Sequence, residues 1–217
     1  MWNFNNPNQL NQHRIASELQ LPYNTIMTFI EGERTADMGV STQFINLLEM
    51  GQKHKSSLAD KIAASGGKVN VIVHPFAEVS PSLPPEELPP YLIERNKHKS
   101  EIFGLIASPE YPSIVLEESS HIESTQLILG LQGIKSVYFI PTAEAHPRPV
   151  IGEKSEEQSW EIVHDLFSSL GIRSILIAGR YFWHDVRGEP QGCVGHAARK
   201  LQVKFSTKIL TELCLSY

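Results

Sequence analysis

Four apolar runs in the second two-thirds of the chain each end in a burst of polar, reactive side chains. Lys68–Phe76 (KVNVIVHPF) reaches His74, and Pro112–Ser119 (PSIVLEES) ends in Glu117, Glu118 and Ser119. Lys135–His146 (KSVYFIPTAEAH) ends in Thr142, Glu144 and His146. Ser174–Asp185 (SILIAGRYFWHD) ends in Arg180, His184 and Asp185. Read as parallel strands, these runs put their carboxyl ends along one sheet edge, where ligands of open α/β folds bind.

Helical patterns separate the runs. Pro89 and Pro90 open a helix that carries Ile102, Phe103 and Ile106 through Ala107, after a proline-rich loop over residues 80–90. Ser119 or Ser120 can cap a helix with Ile122, Leu127, Leu129 and Leu131, closed by Gly133. Ser155 precedes Glu156, Glu157 and the stripe Trp160, Val163, Phe167 and Leu170, closed by Gly171. A short helix follows Gly192, and Ser206–Leu215 reads as a last strand. This alternation predicts an α/β three-layer sandwich with a mainly parallel sheet over residues 66–217. Before Ser65-Gly66-Gly67 the patterning is helical, including Phe44, Ile45, Leu47 and Leu48, so residues 1–65 are expected to form a small helical region.

Composition narrows the function classes. The net charge of −5 argues against a whole-chain electrostatic grip on nucleic acid or anionic membrane. No apolar run approaches the roughly 20 residues that span a bilayer, and the N-terminus lacks the pattern of a signal peptide. With only two cysteines, Cys193 and Cys214, a cytoplasmic protein with free thiols is expected.

Cys193 is the sharpest single candidate for chemistry. In Gln191-Gly192-Cys193-Val194-Gly195-His196 it falls in the first turn of a helix, where unpaired N–H groups favour a thiolate. His196 lies three residues on and is the expected base, with His74 as the alternative. Arg148 and Arg180 offer planar forks suited to a carboxylate or phosphate. Glu118, Glu144, His146 and His184 complete the polar set expected to contact a substrate. The same histidines and carboxylates could form a nitrogen and oxygen shell for a metal, but none shows a compact metal-ligand spacing, so no metal is assigned. His98 and His164 read as helix-surface residues. No glycine-rich phosphate loop is present, which leaves a nucleotide cofactor unsupported.

Two resemblances add expectations. The segment 12–34 (QHRIASELQLPYNTIMTFIEGER) resembles the helix-turn-helix of lambda-repressor-like regulators, with Ile15, Ala16, Leu19, Leu21, Ile26 and Phe29 at its packing positions. That resemblance implies DNA contact through Tyr23, Asn24, Thr25 and Thr28, and a homodimer. Gln20 stands at the turn position that this family usually gives to glycine, and the segment has no basic excess, which ranks DNA behind a small-molecule ligand. The stretch from Ile175 to Cys214 is similar to the isochorismatase-like cysteine hydrolases, with Cys193-Val194 matching the nucleophile position. The first strand ends in His74-Pro75-Phe76 rather than in that family's aspartate, so the similarity implies a fold and not a triad. The leading expectation is a hydrolase-like enzyme acting on a small, anionic molecule. A ligand-sensing regulator and a non-catalytic interaction protein are the alternatives.

Overall fold

In the computed structural model, which describes residues 42–76, 88–143 and 146–215, the apolar runs pair side by side. The elements in chain order are β1 (Gln43–Asn46), α1 (Gln52–Ala64), β2 (Lys68–Val73), α2 (Leu88–Ala107), β3 (Ser113–Glu118), α3 (Ile122–Leu131) and β4 (Ser136–Thr142). They continue with α4 (Glu156–Ser169), β5 (Ser174–Tyr181), β6 (Trp183–His184), β7 (Pro190–Gln191), α5 (Gly192–Leu201) and β8 (Ser206–Leu215). Six strands form one parallel sheet in the order β1-β4-β3-β2-β5-β8. β6 and β7 make a small antiparallel hairpin between β5 and α5.

Parallel strands need crossover connections, and these carry the helices onto both faces. On one face Leu58 and Ile62 of α1, Trp160, Val163 and Phe167 of α4, and Val194 and Leu201 of α5 pack against Val69, Val71, Val73, Ile175 and Ile177. On the other, Ile102 and Ile106 of α2 with Ile128 and Leu129 of α3 cover Ile72, Val115, Phe139 and Ala178. This is the predicted α/β three-layer arrangement. From β2 the chain steps outward to β3 and β4, then returns to build β5 and β8 on the other side. The reversal places the topological switch point between β2 and β5, whose carboxyl ends are where open α/β folds bind ligands.

Local chemistry sets several boundaries. Ser155 caps α4: its Oγ accepts the Gln158 N–H at 3.3 Å, and Gln158 Oε1 accepts the Ser155 N–H at 3.1 Å. Gly171 has φ +79, a left-handed turn that ends the helix, as expected. The cap expected on α3 is absent. Ser119, Ser120 and His121 form one 3₁₀ turn, and no side chain caps the helix at His121. Ser119 Oγ donates instead to the Thr142 carbonyl, at 3.1 Å.

The α/β unit also starts earlier than the expected boundary at Gly66. Phe44 and Ile45, expected in a helix, lie in β1 and pair with Val137 and Tyr138 of β4. Leu47 is fully buried in the same core as Leu58 and Ile62. Among the described residues no helix is long and apolar enough to cross a membrane. The segment 12–34 with its helix-turn-helix resemblance lies outside the described residues, as does Glu144.

Candidate functional site

Three neighbouring strands deliver buried polar groups to the carboxyl edge. The chain leaves β2 through His74, which is 3 % exposed and adopts φ +46. A left-handed backbone is uncommon for any residue with a Cβ, and Pro75 restricts His74 further. Such strain persists only where the surroundings hold it, and it gathers at functional sites. Here the His74 N–H donates to the Leu116 carbonyl at 2.9 Å. Its Nε2 lies 2.9 Å from Thr142 Oγ1, across the end of β3. Burial, and then the nearby charges of His121 and His146, push the imidazole down to about 4. His74 is therefore neutral at pH 7.

β3 ends in two buried carboxylates with different surroundings. Glu117 is fully buried; its Oε2 accepts the Thr125 hydroxyl at 2.6 Å, and its Oε1 accepts the Glu118 N–H at 2.9 Å. Glu118 lies 3.3 Å from His121 Nδ1 and accepts the Ser120 hydroxyl at 3.4 Å. The edge thus pairs acids with imidazoles.

The row continues onto the other face. His146 is exposed beyond β4, and its ring centroid lies 6.3 Å from that of His196 on α5. His196 Nε2 contacts Glu156 Oε1 at 2.8 Å, and the same oxygen accepts from Lys200 Nζ at 3.0 Å. Desolvation is the largest influence on His196 and lowers its pKa; the Glu156 contact opposes it without reversing the direction. Burial is the largest single influence on Glu156 and raises its pKa, but the hydrogen bonds and charges of Lys200 and His196 together lower it, so the carboxylate is ionised. An ionised carboxylate can only accept, so the proton sits on His196 Nε2 and Nδ1 keeps its lone pair.

Cys193 does not join this row. It lies in the first turn of α5 as expected, but its Sγ contacts the Tyr181 carbonyl at 3.7 Å and His196 turns to Glu156. Burial pushes the thiol up to about 11, opposite to the lowering expected from the helix terminus. Desolvation of a thiolate outweighs the helix dipole here, so Cys193 is a buried thiol packed in the core.

Where β2 and β5 run side by side the backbones meet closely. A Cβ on Gly179, whose φ is +151, would lie 2.2 Å from the Val73 carbonyl oxygen. His98 of α2 fixes its Nε2 2.9 Å from the Gly179 carbonyl oxygen. Contrary to a helix-surface position it is 3 % exposed, and burial pushes it down to about 4, with Arg180 and Lys99 also lowering it. His164 is likewise buried, 2.9 Å from the Lys200 carbonyl oxygen. Arg180 is fully buried, with its guanidinium 5.4 Å from the Tyr181 ring centroid, so it is not an exposed anchor. Arg148 is exposed on the loop that folds back to bridge Thr142 to Pro149. His184 is exposed on the hairpin, with its ring edge-on to Phe182 at 4.9 Å.

The structure therefore brings together His74, Glu118, His146 and His196, and turns Cys193 and Arg180 to other partners. Sequence reasoning missed Glu156 and Lys200 as partners of His196, because Glu156 is 40 residues away and read only as helix-start acid. It also missed Thr125, which holds Glu117. Among the described residues no group of three or more His, Cys, Asp or Glu side chains is disposed to hold a metal ion. Compared with family models, curated proteins and solved structures, the chain shows no match.

Proposed function

We propose that this protein is a small-molecule hydrolase of general acid–base type, working at the carboxyl edge of the sheet without a cysteine nucleophile. The observation that supports it is the His196–Glu156 pair: a neutral imidazole oriented through Nε2 by an ionised carboxylate. His196 is partly exposed, its side chain 25 % accessible, and in this reading Nδ1 is the atom that meets water and substrate. In the reaction Nδ1 takes a proton from water as its oxygen attacks an acyl carbon. The bond to the leaving group breaks, and the imidazolium returns the proton to that group. Glu156 stabilises the imidazolium while it lasts, and neutral His74 with the Glu118–His121 pair shapes the polar wall. Arg148, exposed on the same loop as His146, can hold an anionic part of the substrate.

The test is turnover of a panel of p-nitrophenyl esters and lactones by wild type, His196→Ala, Glu156→Gln and Cys193→Ala. His196→Ala is expected to lose about 100-fold or more in kcat, Glu156→Gln somewhat less, and Cys193→Ala nothing. Because the His196 pKa is lowered, kcat/KM should stay high below pH 6.5 and fall only as pH drops through that lowered value. Equal rates in wild type and His196→Ala would overturn the reading. Ligand binding without turnover would point to a sensing site instead.

A further inference from the structure

The amino edge of the same sheet holds a cleft of about 410 Å³ at the starts of β3 and β4, between the ends of α1 and α2. Six residues of β3, roughly 20 Å of strand, separate this edge from the imidazole row. The cleft's lining is about equally polar and apolar, its apolar part coming from Ile106, Pro109, Tyr111, Pro112, Val137 and Tyr138.

Most polar groups around it are already engaged within the protein. Ser65 Oγ lies 2.8 and 2.7 Å from the Ile62 and Lys68 carbonyl oxygens, and the Ser113 hydroxyl donates to the Leu105 carbonyl at 3.3 Å. Ser108 Oγ accepts the Glu110 N–H at 3.3 Å, and the Glu110 carboxylate is hydrogen-bonded to the Tyr111 side chain. The N–H groups of Ser65, Gly66 and Gly67 cover the last carbonyls of α1, which weakens the negative helix end facing the cleft.

Lys61 is different. It is exposed at the mouth, its Nζ 6.0 Å from the Tyr138 ring centroid, and it makes no ion pair among the described residues. Lys68, also exposed, places its Nζ 5.7 Å from the Tyr111 ring centroid beside the cleft. Two tyrosines, each with a lysine ammonium near its ring, in a cleft of small-ligand size suit a ligand with a flat ring and a negative end. We propose that this cleft is a second ligand site, for a small aromatic carboxylate whose ring packs against Tyr111 and Tyr138 and whose carboxylate meets the Lys61 ammonium.

The experiment is a backbone-amide NMR titration of the full chain with benzoate, benzyl alcohol (the ring without the charge) and acetate (the charge without the ring). Benzoate should saturate shifts around Tyr111, Ser136 and Tyr138, about tenfold tighter than either control. Lys61→Met should weaken benzoate about tenfold or more and leave benzyl alcohol unchanged. Ser136→Trp, which fills the cleft from an exposed position, should abolish both, while His196→Ala should change neither. Absence of a saturable shift at millimolar benzoate would overturn the proposal. So would unchanged affinity in Lys61→Met, or shifts centred on His146 and His196.

Discussion

The two edges of the sheet are built from the same strands and share the same two cores, yet they treat charge in opposite ways. The carboxyl edge buries ionisable side chains, with His74, Glu117, Glu118 and Arg180 all less than a tenth exposed. At the amino edge Lys61 and Lys68 are exposed, and hydroxyls and glycines close the turns. Burying a charge is costly unless it is held by precise partners, whereas a solvated charge costs little and specifies little. The difference teaches where the fold has invested its stability. The carboxyl edge is preorganised and strained, and the amino edge is tolerant.

The strongest way to break that contrast is at the close approach of β2 and β5. Gly179→Ala drives a methyl group against the Val73 backbone at a φ of +151. It should cost at least about 4 kcal/mol, measured by urea denaturation, whereas Gly51→Ala, which meets nothing within 4 Å, should change little.

Acid is the next lever. His74 and His98 titrate near 6.5 in the unfolded chain and at about 4 in the folded one, so unfolding takes up protons between those values. Their contribution is fully present above pH 6.5, shrinks as pH falls to 4, and is constant below. Each should remove about 3 kcal/mol over that window. His98→Gln should flatten roughly half of the slope in a stability–pH series. An unchanged slope would mean that the buried imidazoles of this edge do not govern acid sensitivity.

Smaller effects sharpen the comparison. Thr125→Val takes the 2.6 Å hydroxyl from a buried carboxylate and should cost about 2 kcal/mol. Loss of the α4 capping box in Ser155→Ala should cost about 1 kcal/mol. Lys204→Ala removes an ion pair with Asp165, two groups 44 % and 79 % exposed, and should stay within about 0.5 kcal/mol.

Much of the architecture was legible in the order of residues, because buried parallel strands leave uninterrupted apolar runs and capped helices leave local signatures. Ser155 and Gly171 bracket α4 for reasons contained within a turn of chain. β1 was not legible: Phe44 and Ile45 suit either period, and only pairing with β4 makes them a strand. His98 carried an unread signal, since His98, Ile102 and Ile106 fall on one line at four-residue spacing and share the buried side of α2. His164 stands in the same relation to Trp160 on α4. In the candidate site, strand ends pointed to His74 and Glu118, but partners from separate elements decide what each group does. The fate of Cys193 illustrates this. Its place at a helix start was readable, and the packing that keeps its thiol protonated was not.

β1 also has a consequence in time. Thr42, at its start, hydrogen-bonds the Ile134 carbonyl 92 residues later in the chain, and every ladder partner of β1 lies in β4. During synthesis this segment leaves the ribosome about 5–20 s before the strand that receives it. Until then Phe44, Ile45 and Leu47 have no sheet to join. β1 therefore docks only after β4 has emerged, and a nascent chain arrested before Thr142 presents an open seam.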